Sequence, residues 1–554
     1  VTDSKGKDVT KQFKLTESDG TVTNKKAKMI KATPVDGKTL ADDTYTLNAK
    51  ETAIGDFDVD KIIDVGISMA GNTGEHSYPQ LDPKADKHWT NGDQTTDGKQ
   101  YLVGDVAEAT VSADYPDQSK MVNKVTKIGL VDDYSQFAKY VDYKSSKVFE
   151  GTKDVTSEYT LTNKDGKVTA MRKDPTKAAA GKAKLMTIFK IKADVPNGTA
   201  FTNKGNFLLN NIVTPSPEPK IDIVTPKADK HWTDGDTNTD GKKYMAGDLA
   251  NATVSAEYPD QAKLADKVIK LGLVDDYSQF AKYVDYKSSK VFEGTKDVTS
   301  EYTITNKDGK VTAMRKDPTK ATAGKAKLVT TFKIKDNVPD GTKFVNSGDY
   351  IINGVTTPTD KPEIDTYDPK AVKDVESGTV KGETEATIDK KEVKKGDKLT
   401  YILGSNDLPA NRKDDIKSRV SKDTLPKEVE YNGFAAYLPD GKGGFTDVTK
   451  AVTLKADATK HNLEFTEGKV LLDGYNKDKT KAAKTVVIDI YVTASQDGSA
   501  FTNTYTLVTN DHTDTSNKVE NHTDKAPEQP KQDLPQTGTK AGKSTLWDLF
   551  KAIF

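Results

Sequence analysis

Apolar and polar residues alternate in short runs along most of this chain. ATVSADY (109–115), KLTYIL (398–403) and TVVIDIYVTA (485–494) are examples, rich in Val, Ile, Thr and Tyr. A period of two is the pattern of strands with one buried face. Few segments sustain a helical period, so the pattern predicts an all-β chain of β-sandwich domains. One strand stands apart. In PKADKHWT (83–90), Ala85, Lys87 and Trp89 share one face, and Lys84, Asp86 and His88 share the other. A lysine therefore sits on the apolar face, between Ala and Trp.

The same stretch returns at 226–233, and PKAVKDVE starts a third version at Pro369. Residues 83–206 match 226–349 without gaps, and 131–160 recurs unchanged at 274–303. A repeat of this length is a whole domain in tandem, not a solenoid unit. The diverged third copy keeps the opening lysine, a Gly-Asp pair (Gly396, Asp397), Asp-Val-Thr (447–449) and a closing FTN (501–503). KDVTKQFKLTESDGTVT (7–23) aligns with 153–169, the back half of a copy. Pro-rich segments such as TPSPEP (214–219) and TPTDKP (357–362) form short, stiff joints. The expected domains are 1–82, the C-terminal half of a repeat; 83–225; 226–368; 369–524; and a Pro-rich tail, 525–554. The chain opens mid-pattern at VTDSKGKDVTKQF, which reads as a piece of a longer one.

Three positions recur in each full copy. The first is the lysine: Lys87, Lys230, Lys373. The second is an aspartate at a strand end. In KIGLVDDY, Ile128, Leu130 and Asp132 share a face; Asp275 is the equivalent, and Asp423 is the best match in the third copy. The third is an asparagine after an aromatic residue: Asn203, Asn346, Asn503. A second asparagine seven residues later (Asn210, Asn353, Asn510) is explained by a tight hairpin turn. The first has no such explanation. Burial drives a lysine and an aspartate toward their neutral forms. A neutral amine is a nucleophile, and a protonated acid can polarise a carboxamide and shuttle protons. Attack on the asparagine would expel ammonia and leave a Lys–Asn amide, with no cofactor. From spacing alone, a buried Lys–Asp ion pair capped by an Asn hydrogen bond is the commoner arrangement.

Composition narrows the class. The 554 residues are 34% hydrophobic and 30% charged, with a net charge of −1, which gives no electrostatic case for nucleic acid as a partner. There are no cysteines, so disulfides cannot staple the domains.

After the last domain and a Pro/Lys/Gln spacer comes LPQTG: Leu534, Pro535, Gln536, Thr537, Gly538. It resembles the sortase sorting motif of Gram-positive surface proteins, which implies cleavage between Thr537 and Gly538 and linkage to cell-wall peptidoglycan. The sixteen residues that follow, broken by Asp548 and Lys551, are too short and too polar to span a bilayer. Together with the P-x-x-x-K opening, GDKLTYIL (396–403), LPANR (408–412) and the N-x6-N hairpin, the chain resembles the C-terminal stalk domains of streptococcal antigen I/II-type adhesins. That resemblance implies tandem variant immunoglobulin-like sandwiches in an elongated string. It also implies Lys–Asn isopeptide bonds assisted by Asp: Lys87/Asp132/Asn203, Lys230/Asp275/Asn346 and Lys373/Asp423/Asn503.

The expectation is a stalk on the outside of the cell, joined covalently to the Gram-positive wall and not an enzyme beyond its own cross-linking. It would project a binding head, upstream of residue 1, toward a host or bacterial surface ligand. The alternative is that the repeats bind a host glycoprotein or matrix ligand themselves. A pilin would need a linking motif such as YPK, and the chain has only YPD and YPQ. No cofactor is required. Asp236, Asn238 and Asp240 in DGDTNTDG resemble the start of a calcium loop, but no Glu closes it, and a polar hairpin turn is the commoner explanation.

Overall fold

The computed structural model describes residues 1–22, 25–35, 63–69, 72–78, 83–121, 124–382 and 386–525. The chain divides into two compact units, residues 1–226 with 261–267 and residues 227–260 with 268–554. Among the described residues the structure is almost wholly β, with 3-10 turns and one α-helix, Lys469–Asn476.

The first unit opens with the hairpins Phe13–Val22/Lys25–Pro34 and Ile63–Met69/Asn72–Tyr78. A sandwich follows. One sheet runs, in spatial order, Lys153–Asp154, Val141–Glu150, Gly181–Ile191, Val106–Tyr115, Ala85–Asn91, Gln94–Thr95. The facing sheet runs Tyr159–Lys164, Lys167–Arg172, Ile128–Asp133, Lys204–Leu209, Ile212–Pro215. A small third sheet holds Ala200–Thr202, Lys220–Val224 and Gln100–Leu102, the last pair parallel. Trp89, Phe137, Phe189 and Phe201 fill the core, with Phe137 stacked on Phe201 at 4.7 Å and tilted against Trp89 at 5.5 Å.

In the second unit, residues 228–367 repeat this plan strand for strand, and residues 371–523 build a variant of it. The relation of the variant shows in its irregularities. A register shift falls between Tyr143 and Ser145, between Tyr286 and Ser288, and between Tyr431 and Gly433. Inherited bulges of this kind are features of a fold rather than noise.

The recurring short motifs are turn devices. In Asp-Val-Thr, the Asp154 carboxylate accepts from the Thr156 N–H and hydroxyl, and the Thr156 hydroxyl accepts from the Val148 N–H. Asp447 and Thr449 make the same turn, tied to the Ala436 N–H. In Gly-Asp, Asp105, Asp248 and Asp397 accept from the N–H groups of Leu102, Met245 and Lys394. Asn210, Asn353 and Asn510 take the left-handed conformation their hairpins require (φ 52°, 49° and 51°).

Within the second unit, the 226–368 repeat and the third domain are joined by a parallel β-bridge between Lys243 and Arg412. The Lys243 N–H donates to the Asn411 carbonyl, and the Lys413 N–H donates to the Lys243 carbonyl. The Lys413 ammonium lies over the Tyr244 ring at 5.2 Å and 3.6 Å from Asp234. His512, buried on the third domain, pairs with Asp368 at 3.0 Å. Asp368, and more weakly Asp336 and Asp514, raise the His512 pKa above its ordinary 6.5, against the opposing effect of burial. The stabilisation is therefore complete below about pH 6.5 and is lost as pH rises through the folded-state value. Hydrogen exchange around 368–371 and 510–514 should accelerate over that rise, and His512→Gln should flatten the dependence.

A candidate covalent cross-linking site

Lys87 lies on the strand that opens its sandwich, and Asp132 is the penultimate residue of the central strand of the facing sheet. Alternation turns Lys87 and Trp89 into the core and leaves Asp86 and His88 half-buried. The Lys87 ammonium meets Asp132 at 2.6 Å with neither side chain exposed. Lys230 and Asp275 repeat this at 2.7 Å, and Lys373 pairs with Asp423. Each pair bridges the two sheets through the core. Burial pushes all three lysines below the usual lysine value, and the partner aspartates oppose that shift without cancelling it.

The asparagines join the same cluster. Asp132 pairs in register with Gly205, two residues beyond Asn203, and Asp275 pairs with Gly348, two beyond Asn346. A Cβ on Gly348 would stand 3.5 Å from Cδ of Lys230, so the lysine stem passes over this glycine. The Pro219 carbonyl accepts from both the Asn203 N–H (3.0 Å) and the Trp89 indole N–H (3.2 Å). Pro362 does the same for Asn346 and Trp232.

The side chains of Asn203, Asn346 and Asn503 are buried, yet neither amide atom of any of them has a hydrogen-bond partner among the described residues. One oxygen of each aspartate, Asp132, Asp275 and Asp423, is also unpartnered. A buried polar atom left unpaired costs about 1–3 kcal/mol. A carboxamide orphaned at the same place in three domains is therefore not a hydrogen-bonded cap. Each core instead holds an amine of weakened basicity, a carboxyl group and an unengaged amide.

Two family models match the chain. The one described as the cell surface antigen I/II C2 terminal domain matches residues 83–214 and again 226–362, and the one described as the cell surface antigen C-terminus matches 370–524. The matched segments are antigen I/II C-terminal domains. These are surface-antigen families, not enzymes, and they set the location at the cell surface. Solved structures similar to this chain include the C-terminal domain of the Streptococcus pyogenes antigen I/II-family protein AspA (19% identity, 53% of this chain and 99% of that one, TM-score 0.44). The C-terminal domain of the Streptococcus agalactiae AgI/II polypeptide BspA is another (18%, 53% and 100%, 0.43). BcpA, the major pilin subunit of Bacillus cereus, is more distant (11%, 80% and 99%, 0.26).

The third domain departs from the repeats on the aspartate's strand, as its sequence SRVSKD indicates, and answers the change with a buried ion pair that the sequence did not reveal. Arg419 and Ser421 face inward where the repeats have Ile or Leu, and Leu. The Arg419 guanidinium is neutralised by Glu467 at 2.8 Å, and Glu467 accepts from the Tyr475 hydroxyl at 2.6 Å. Tyr475 comes from the helix Lys469–Asn476, which the repeats lack. The repeats hold their own buried group, Arg172 with Glu150 and Tyr159, and Arg315 with Glu293 and Tyr302.

The calcium expectation does not gather into a site. Asp236 turns to Lys327 at 2.7 Å, Asp240 accepts from the Trp232 N–H and pairs with His231, and the Asn238 side chain caps the Asp240 N–H. Local donors satisfy each of them separately. Leu534–Gly538 lie outside the described residues. On the outer face of the 226–368 repeat, His231, Asn238, Asn251, Thr253, Phe292 and Lys327 line a groove of about 450 Å³.

Proposed function

We propose that each of the three domains closes an intramolecular isopeptide bond, Lys87–Asn203, Lys230–Asn346 and Lys373–Asn503, assisted by Asp132, Asp275 and Asp423. The carrying observation is the orphaned carboxamide beside a buried Lys–Asp pair, repeated three times. The lysine gives a proton to the aspartate, and its neutral nitrogen attacks Cγ of the asparagine. The protonated acid donates to the departing nitrogen, the Cγ–Nδ2 bond breaks and ammonia leaves, and the attacking nitrogen hands its surplus proton back to the aspartate. The product is one amide joining the two sheets. Its loop spans 116 residues in the two repeats and 130 in the third domain, and closure should stabilise by about 4–5 kcal/mol if the disulfide chain-entropy treatment carries over. The denatured intact mass of the chain should fall short by three ammonia molecules, and by two in Lys87→Ala. The full, uncorrected mass would sink the proposal.

We further propose that the domains form the stalk of a sortase-anchored adhesin. Near-identical tandem domains, a Pro-rich spacer and LPQTG after the last domain support this reading. Incubated with sortase and an amine acceptor, the chain should exchange Gly538–Phe554 for the acceptor. Thr537→Ala should abolish the exchange, and an inert wild-type chain would remove the anchoring part of the proposal.

The groove favours a second reading, in which the repeats contact a host glycoprotein directly. Phe292 offers an aromatic face, and Asn238 and Asn251 offer amide arms. The first repeat has Thr95 and Glu108 at the corresponding positions. If this reading holds, Asn238→Thr with Asn251→Glu should abolish solid-phase binding of the chain to host glycoprotein. Unchanged binding would exclude the groove.

A further inference from the structure

The three sites share one plan but not one set of aromatic neighbours. In the repeats, an indole sits two residues after the lysine on the same strand, Trp89 or Trp232, and the residue across the ladder is Ala109 or Ala252. In the third domain the arrangement is reversed. Val375 takes the tryptophan's position, and its cross-strand partner is Tyr401. Tyr505 stands opposite Asp423, where the repeats have Gly205 and Gly348.

This exchange changes what the lysine feels. The indoles of Trp89 and Trp232 are held away by their hydrogen bonds to Pro219 and Pro362. Among the described residues, no ring lies over the ammonium of Lys87 or Lys230. The Lys373 nitrogen lies 4.8 Å from the centre of the Tyr401 ring and 5.9 Å from that of Tyr505. Both distances are within cation–π range. Tyr505 is fixed in place by its hydroxyl, which donates to the Gly404 carbonyl. A ring face attracts the ammonium and not the neutral amine. The charged group acting on Lys373 is Asp423, while Arg419 on the same strand is neutralised by Glu467. Lys87 feels Asp133 and Asp97 in addition to Asp132, and Lys230 feels Asp276 and Asp240 in addition to Asp275, in each case more weakly.

We propose that Tyr401 and Tyr505 hold the Lys373 amine in its charged, unreactive form, so that the third domain closes its cross-link last of the three and reaches its full rate at a higher pH. This rests on the cross-linking reading. The tyrosines are tuning residues: they take no part in bond making and set how much nucleophile is present. Two ring faces of ordinary cation–π strength lower the neutral fraction by roughly three- to thirtyfold, and the rate with it.

The test follows cell-free synthesis of the full chain, quenched into denaturant at intervals, between about pH 6 and 9. Peptide masses report each Lys–Asn pair separately. Pairs 87–203 and 230–346 should close together, with 373–503 lagging by that factor and the lag shrinking as pH rises. Tyr401→Leu should move the third profile toward the other two, whereas Tyr401→Phe, which keeps the ring, should leave it in place. If Tyr401→Leu does not fold, Tyr401→Phe and the comparison of three sites within one wild-type chain still decide. The inference is overturned if 373–503 closes as fast as the others with the same pH profile, or if the Leu and Phe variants behave alike. If no pair loses ammonia, the cross-linking reading itself falls, a result distinguished by the two repeats staying unlinked as well.

Discussion

The buried lysine–aspartate contact is the constraint around which each domain is built. It places opposite charges from facing sheets in a core filled mainly by aromatic and aliphatic side chains. Such a contact is weak evidence for stability, because desolvation offsets much of the attraction. Its demands on the surroundings are strict. Gly348 must be a glycine because a Cβ there would stand 2.5 Å from the Val274 carbonyl oxygen and 2.8 Å from Cγ2 of Val254, with the Lys230 stem beside it. The Pro-rich joint must present the Pro362 carbonyl where the asparagine backbone and the indole can both reach it. Much of what recurs between the copies serves this contact or the turns that frame it.

The third domain shows how far the surroundings can change while the contact stays. Its tryptophan is gone, its glycine is a tyrosine, and two inward positions on the aspartate's strand are polar. Each change is matched by another. The aromatic bulk crosses to the neighbouring strand as Tyr401. In this domain the buried guanidinium of Arg419 is answered by the Glu467 carboxylate from one strand and by Tyr475 from an added helix.

Much of this was legible in the sequence, for a physical reason. Strand periodicity is strict, so an inward lysine at position 87 announces itself between Ala85 and Trp89. Asp132 follows from sharing a face with Ile128 and Leu130. Asn203 stands out because Asn210 has a turn to explain it. What stayed hidden depends on pairing across distant segments. The Arg419–Glu467–Tyr475 group draws on three separate elements, and the helix is only eight residues long. That Tyr505 replaces a glycine is visible only once its register against Asp423 is known. The alternating oxygens of 236–240 suggested an ion, but a lysine, a histidine and backbone N–H groups lay within reach of each side chain first.

The bridge at Lys243 has a directional consequence. A strand edge with unpaired backbone groups invites association with other chains. The small sheet of the 226–368 repeat has that edge closed by residues 411–413, which belong to the following domain. The corresponding edge of the third domain, Glu392–Val393, receives no such segment among the described residues. Domains joined in this way shield one another in a single direction: the 226–368 repeat relies on its successor for the closure of its small sheet, and the third domain lends a segment without receiving one among the described residues.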